Sequence, residues 1–211
     1  MLHFHLGKDL FIQQAREPPG LLCLLEVTEG NRVSLYGNAS LTGTETTFER
    51  DEIIVSKTDV TGKLIYGNRL FFKMAELSEK ECIGQQHNIV RHPEMPRTVF
   101  DLLWETIKSG KEIFAYVNNR SKTGNNYWVY AHVTPSFDRD GTITGYHSNR
   151  RKPERKIVDE RIIPLYRDLL KTEQAAASPK QALRDGRKVI QDILSDSRMG
   201  FNQLMFSLGG G

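Results

Sequence analysis

The chain has 211 residues, 38% apolar and 26% charged, which describes an ordinary soluble protein of one domain with appendages. A net charge of +3 is too small to argue for nucleic acid, and two cysteines, Cys23 and Cys82, without a CxxC pattern give neither a disulfide framework nor a zinc ribbon and fit free thiols in a reducing cytoplasm. No run approaches the ~18 apolar residues of a membrane span, and Met1 to Gly7 carries no signal-peptide pattern.

Residues 1–47 form an N-terminal extension of uncertain structure: Pro18-Pro19-Gly20 breaks the chain, Glu29-Gly30-Asn31 is a turn signal, and Leu21 to Leu25 is short enough for a buried strand. From Asp51 the signals sharpen. Ile53 to Val55 and Lys63 to Tyr66 are strand candidates around the turn Asp59-Val60-Thr61-Gly62. Ser78-Glu79-Lys80-Glu81 is a capping box, and Pro96 suits the first turn of a helix closed by Gly110. In that helix Val99, Phe100, Leu103, Trp104 and Ile107 recur at spacings of three and four, so one face meets a core. Strands then follow at Ile113 to Arg120, Tyr127 to Phe137 and Thr142 to Asn149, joined by tight turns. The order predicts an α+β domain over 48–153, an antiparallel five-stranded sheet with helices packed over one face. Residues 154–211 read as C-terminal helices for signalling or docking. One starts at Pro164, another at the Ser178 cap with Pro179, and the apolar end Phe201 to Leu208 is a docking segment.

Two segments carry the chemistry. His87-Asn88-Ile89-Val90-Arg91-His92-Pro93-Glu94-Met95-Pro96 packs two histidines, an arginine and a carboxylate into a stretch whose prolines forbid plain helix. Asn119 to Val129, with Trp128 inside it, is the second. Arg91 offers a planar fork of donors to phosphate, and Glu94 suits the fork or a ribose hydroxyl; the plain alternative is a surface ion pair worth little. His87, His92, His132 and His147 match no zinc spacing. Asn68 doubles as a helix cap, Asn119 as a strand-end residue, and Trp104 and Trp128 as core packing. The basic run Asn149 to Lys156 has no aromatic interleaving and reads as a solvated exit from the sheet or a contact for an acidic partner. There is no GxSxG, P-loop or HExxH, so an enzyme finds no support.

Together these segments resemble the PAS sensor domain of aerotaxis receptors over about residues 50–155, His-Asn-x-Val-Arg-His-Pro-acidic-Met-Pro being the specific part. The resemblance implies noncovalent FAD, with Asn68, Arg91, His92, Glu94, Trp104, Asn119 and Trp128 as the cofactor-binding set. An isoalloxazine ring needs flat apolar walls and amide-like partners that register its protonation. Where this family often has Trp ahead of the Asn-Arg strand end, this chain has Ile113-Phe114, and Phe114 is the candidate substitute. The anchor and signalling hairpin of membrane-bound receptors are not seen, a pattern similar to the PAS-only half of bipartite energy-taxis systems. The resemblance therefore implies a cytoplasmic redox or oxygen sensor acting on a separate chemoreceptor-like transducer, with a homodimer favoured by apolar tail helices. Two alternatives stand beside it: a haem-binding gas sensor using one of the four histidines, and a cofactor-free adaptor.

Overall fold

The computed structural model describes residues 40–209, so the readings of Leu21 to Leu25 and of the breaks near Pro18 and Gly30 lie outside the described residues. The expected domain is there. Strands β1 (Ile54–Thr58) and β2 (Leu64–Gly67) flank a turn in which Asp59 Oδ1 accepts the N–H groups of Thr61 (2.8 Å) and Lys63 (3.0 Å). Gly62 supplies the positive φ, 84°, that an L side chain there would resist. Helix α1 (Arg69–Ala75) starts at the Asn68 cap, and α2 (Glu79–Cys82) starts at the complete Ser78–Glu81 capping box. A 3₁₀ turn at His87–Val90 leads to α3 (Arg97–Lys108), which has Pro96 at its N-cap and buries Val99, Leu103 and Ile107.

Strands β3 (Ile113–Arg120), β4 (Asn126–Phe137) and β5 (Ile143–Arg151) follow. The sheet order is β2-β1-β5-β4-β3, and the pairings are antiparallel. Strand alternation gives the sheet two faces. By register Ile54, Ser56, Thr58, Val117, Asn119, Tyr127, Val129, Tyr146, Ser148 and Arg150 share the inner face. Phe114, Tyr116, Trp128, Tyr130, His132 and His147 share the outer one. Phe71 of α1 and His87 meet inner-face side chains, so helices cover that side.

The C-terminal part departs from expectation in its start. The chain is helical from α4 (Arg155–Ile157) through a π turn (Val158–Ile162) into α5 (Ile163–Ala175), so Pro164 falls where the backbone pattern shifts rather than at the beginning. Proline lacks the N–H that a continuous ladder needs, and a π turn absorbs such a gap. Helices α6 (Pro179–Ser197) and α7 (Phe201–Gly209) complete it, with Ser178 capping α6 as predicted.

These helices grip the open edge of the sheet, where β3 would expose unpaired backbone groups. Asn202 of α7 accepts from the Phe114 N–H (3.0 Å) and donates to the Glu112 carbonyl (3.1 Å). Tyr166 of α5 donates to the Tyr116 carbonyl (2.6 Å) and packs its ring against Trp128 on the outer face. On the other side Glu173 of α5 caps α3, accepting from the N–H groups of Arg97 (3.0 Å) and Thr98 (2.8 Å). Met205 is 1% exposed. Phe201, Leu204 and Leu208 are partly buried against the core, whereas Met199 and Phe206 stay exposed.

Candidate functional site

The two motifs singled out in the sequence meet in space. Arg91 forms an antiparallel bridge with Asn119, which lays the turn after His87–Val90 along the end of β3. The Arg91 guanidinium donates to the Met95 carbonyl (3.1 Å) and lies 4.3 Å from the Phe100 ring centre. His92 is buried, and its Nδ1 accepts the Glu94 N–H (3.2 Å), a bond that proline-enforced turn geometry makes available. Burial holds the His92 imidazole below its ordinary value, against the opposing pull of Glu94 and with a further push from Arg120. Glu94 itself is exposed. Asn119 sits on the inner face at 5% exposure. Trp104, half-buried on α3, sets its ring edge-on to Tyr146 at 5.5 Å and lies over Gly62, where a Cβ would come within 2.9 Å of it.

Two members of the predicted set fall elsewhere. Asn68 spends its side chain on the backbone: Oδ1 accepts from Val55 N–H (3.1 Å) and Phe71 N–H (2.9 Å), and Nδ2 donates to the Ile53 carbonyl (2.7 Å). Trp128 is on the outer face against Tyr166, so it shares no chamber with Asn119. Phe114 is likewise on the outer face, stacked on His132 at 4.1 Å; Ile113, not Phe114, faces inward at that point of the strand. The histidines do not converge either. His132 pairs with Glu112 (2.8 Å), His147 shares its face, and among the described residues no three His, Cys, Asp or Glu side chains group as a metal site.

In their place the inner face offers a polar cluster on β1 and β5. Arg150, 4% exposed, donates Nη2 to Ser56 Oγ and to His87 Nε2, both at 2.6 Å, and its guanidinium lies 5.7 Å from the Phe71 ring centre. His87 must accept there, so its proton belongs on Nδ1. Burial and the neighbouring Arg150 hold His87 far below its ordinary value, at about 3, and burial brings Arg150 down to about 10. Arg150 Nη1, Ser148 Oγ and Thr58 Oγ1 are buried with no hydrogen-bond partner among the described residues. Such a set can hold an acceptor-rich ligand against a flat apolar wall. Arg150 is hidden in the sequence because its strand pattern fades after Asn149 and the run Asn149 to Lys156 has the composition of a solvated segment. The signal was present, since period-two alternation from Tyr146 through Ser148 carries Arg150 to the same face.

Residues 53–148 match the family described as PAS fold, and the five-stranded antiparallel sheet with helices over its inner face has that architecture. Among curated relatives, the aerotaxis receptor of Escherichia coli (strain K12) is 38% identical over 122 residues, covering 56% of this chain and 23% of the receptor. Phototropin-2 of Oryza sativa subsp. japonica is 27% identical over 101 residues, covering 46% of this chain and 11% of that protein. The chain thus spans about a quarter or less of the relatives it matches. Among solved structures, the dark structure of the blue-light photoreceptor Aureochrome1 LOV aligns with a TM-score of 0.49 at 18% identity, over 55% of this chain and 86% of that one. Among the described residues no helix is long and apolar enough to cross a membrane.

Proposed function

We propose that this chain is a cytoplasmic redox or oxygen sensor that holds FAD between the inner face of the sheet and the helices around residues 68–104, and signals to a separate transducer such as a chemoreceptor. The observation that carries the reading is the Arg91–Asn119 bridge, which sets a cationic, histidine-bearing turn beside an inner-face carboxamide. The inner face supports this reading: buried donors at Arg150, Ser148 and Thr58 that have no partner among the described residues suit ring carbonyls, and Phe71 and Trp104 supply flat apolar surface. Arg91 and His92 are assigned to the phosphate end, Glu94 to the ribose, and Asn119 to the ring, whose carboxamide can both donate and accept. Bound there, FAD supplies reversible electron chemistry that changes hydrogen-bonding demand at the ring. Asn119 belongs to β3, whose edge is held by Tyr166 and Asn202, so a rearrangement of that strand bears directly on residues 154–211, the output segment in this reading.

The test is an absorption spectrum of freshly purified protein with identification of any chromophore released by heat. Bands near ~370 and ~450 nm that bleach on reduction, with FAD released, are expected. A Soret band in their place assigns haem, and a colourless protein that refuses added FAD moves the function to an adaptor. Arg91→Ala and His92→Ala are each expected to lower flavin content while circular dichroism stays native; normal retention in both removes them from the site.

A further inference from the structure

We infer that Arg150, together with Ser148 and Thr58, forms the subsite that receives the carbonyl edge of a planar heteroaromatic ligand and favours its electron-rich, reduced form. This rests on the flavin reading above and adds residues that no motif had assigned. Three observations converge. Arg150, Ser148 and Thr58 lie on one face of two paired strands: Arg150 stands opposite Ile54 of β1, Ser148 opposite Ser56, and Thr58 opposite Tyr146. All three are under 8% exposed, and each turns into the interior a polar atom that has no hydrogen-bond partner among the described residues. Among the described residues Arg150 also meets no carboxylate: its hydrogen-bond partners are the neutral acceptors Ser56 and His87. A buried cation without a counter-charge is costly, and an apolar residue would pack there at less cost, so the arrangement is explained by a ligand that brings acceptors and negative charge to Nη1. A reduced flavin carries more charge on its N1 and carbonyl edge than the oxidised ring does. A guanidinium at that edge therefore binds the reduced form more tightly and raises the midpoint potential. The position also suits a relay, because β5 ends at Arg151 and helix resumes at Arg155.

The experiment compares the full chain with Arg150→Met, Arg150→Lys and Arg151→Met, the last at the exposed neighbour. Readouts are FAD affinity by fluorescence titration and midpoint potential by dye-coupled reduction. Arg150→Met is expected to bind FAD about 10- to 100-fold more weakly and to shift the midpoint to lower potential. Arg150→Lys is expected to weaken binding but keep the midpoint near wild type, and Arg151→Met to match wild type in both. Wild-type affinity and midpoint in Arg150→Met overturn the subsite while leaving the flavin reading intact. Failure of the wild-type chain to take up FAD overturns the flavin reading, and the subsite falls with it. If Arg150→Met does not fold, Ser148→Ala and Thr58→Val decide the matter: several-fold weaker FAD binding in each supports the subsite, and wild-type binding in both overturns it.

Discussion

Single polar residues do two different jobs in this fold. Asn68 is a structural clamp: one carboxamide ties the start of α1 to both ends of its contact with β1. Asn68→Ala leaves two N–H groups and one carbonyl without that partner, so a loss of about 1–3 kcal/mol is expected in denaturant unfolding, with flavin content per folded protein unchanged. His87 is instead a part-buried acceptor facing Arg150, Ser56 and Phe71. Its folded value near 3 lies below the ordinary 6.5, so between those pH values the unfolded chain binds more protons than the folded one. Stability is therefore expected to be level above about pH 6.5 and to fall as pH drops from there toward 3. His92, also held low by burial, adds in the same direction. Thermal melting across this range, with His87→Gln as the flattened comparison, checks the sign.

At the scale of elements, the contact that stands out is Glu173 at the start of α3. Pro96 at the N-cap offers no side-chain acceptor, and the carboxylate from α5 fills that role while suiting the positive end of the helix dipole. Next to it, Gly186 lets α6 come down onto Thr98, where any Cβ would collide with the Thr98 hydroxyl. Arg187 then reaches Asp101 (2.6 Å) and Glu105 (2.5 Å) across the same seam. Glu173→Ala is expected to lower stability by about 1–2 kcal/mol, and Gly186→Val by about 1–3 kcal/mol through overpacking. Both should raise hydrogen exchange in α5 and α6 while β1, β4 and β5 stay protected; unchanged exchange in those helices would mean that this seam does not hold them.

Across the whole molecule, α5 to α7 form a clasp that touches the sheet edge, the outer face and α3, and β3 lies under it with Asn119 at its inner face. If this is the output path, hydrogen exchange over residues 155–209 is expected to differ between oxidised and reduced protein. Tyr166→Phe, which removes the donor to the Tyr116 carbonyl, should shrink that difference without changing flavin content. Equal exchange in the two redox states would remove the clasp from signalling.

The strands, the turns, both capping motifs and the α+β architecture were legible because each rests on local rules: alternation for the strands, Asp and Gly at the turns, and Ser with Glu or Pro at helix starts. The His87–Pro96 segment was recognisable because prolines and charges in that density are rare in a packed element. What the sequence could not decide was which side of the sheet a residue faces and what waits there. Trp128 and Phe114 had the right chemistry for a flavin wall, yet one alternation step puts them on the outer face. Arg150 looked like part of a solvated basic run, yet the pairing of β5 with both β1 and β4 carries it into the interior. The clasp was hidden for the same reason, since an apolar tail specifies that it must be buried but only the packed molecule decides against which surface.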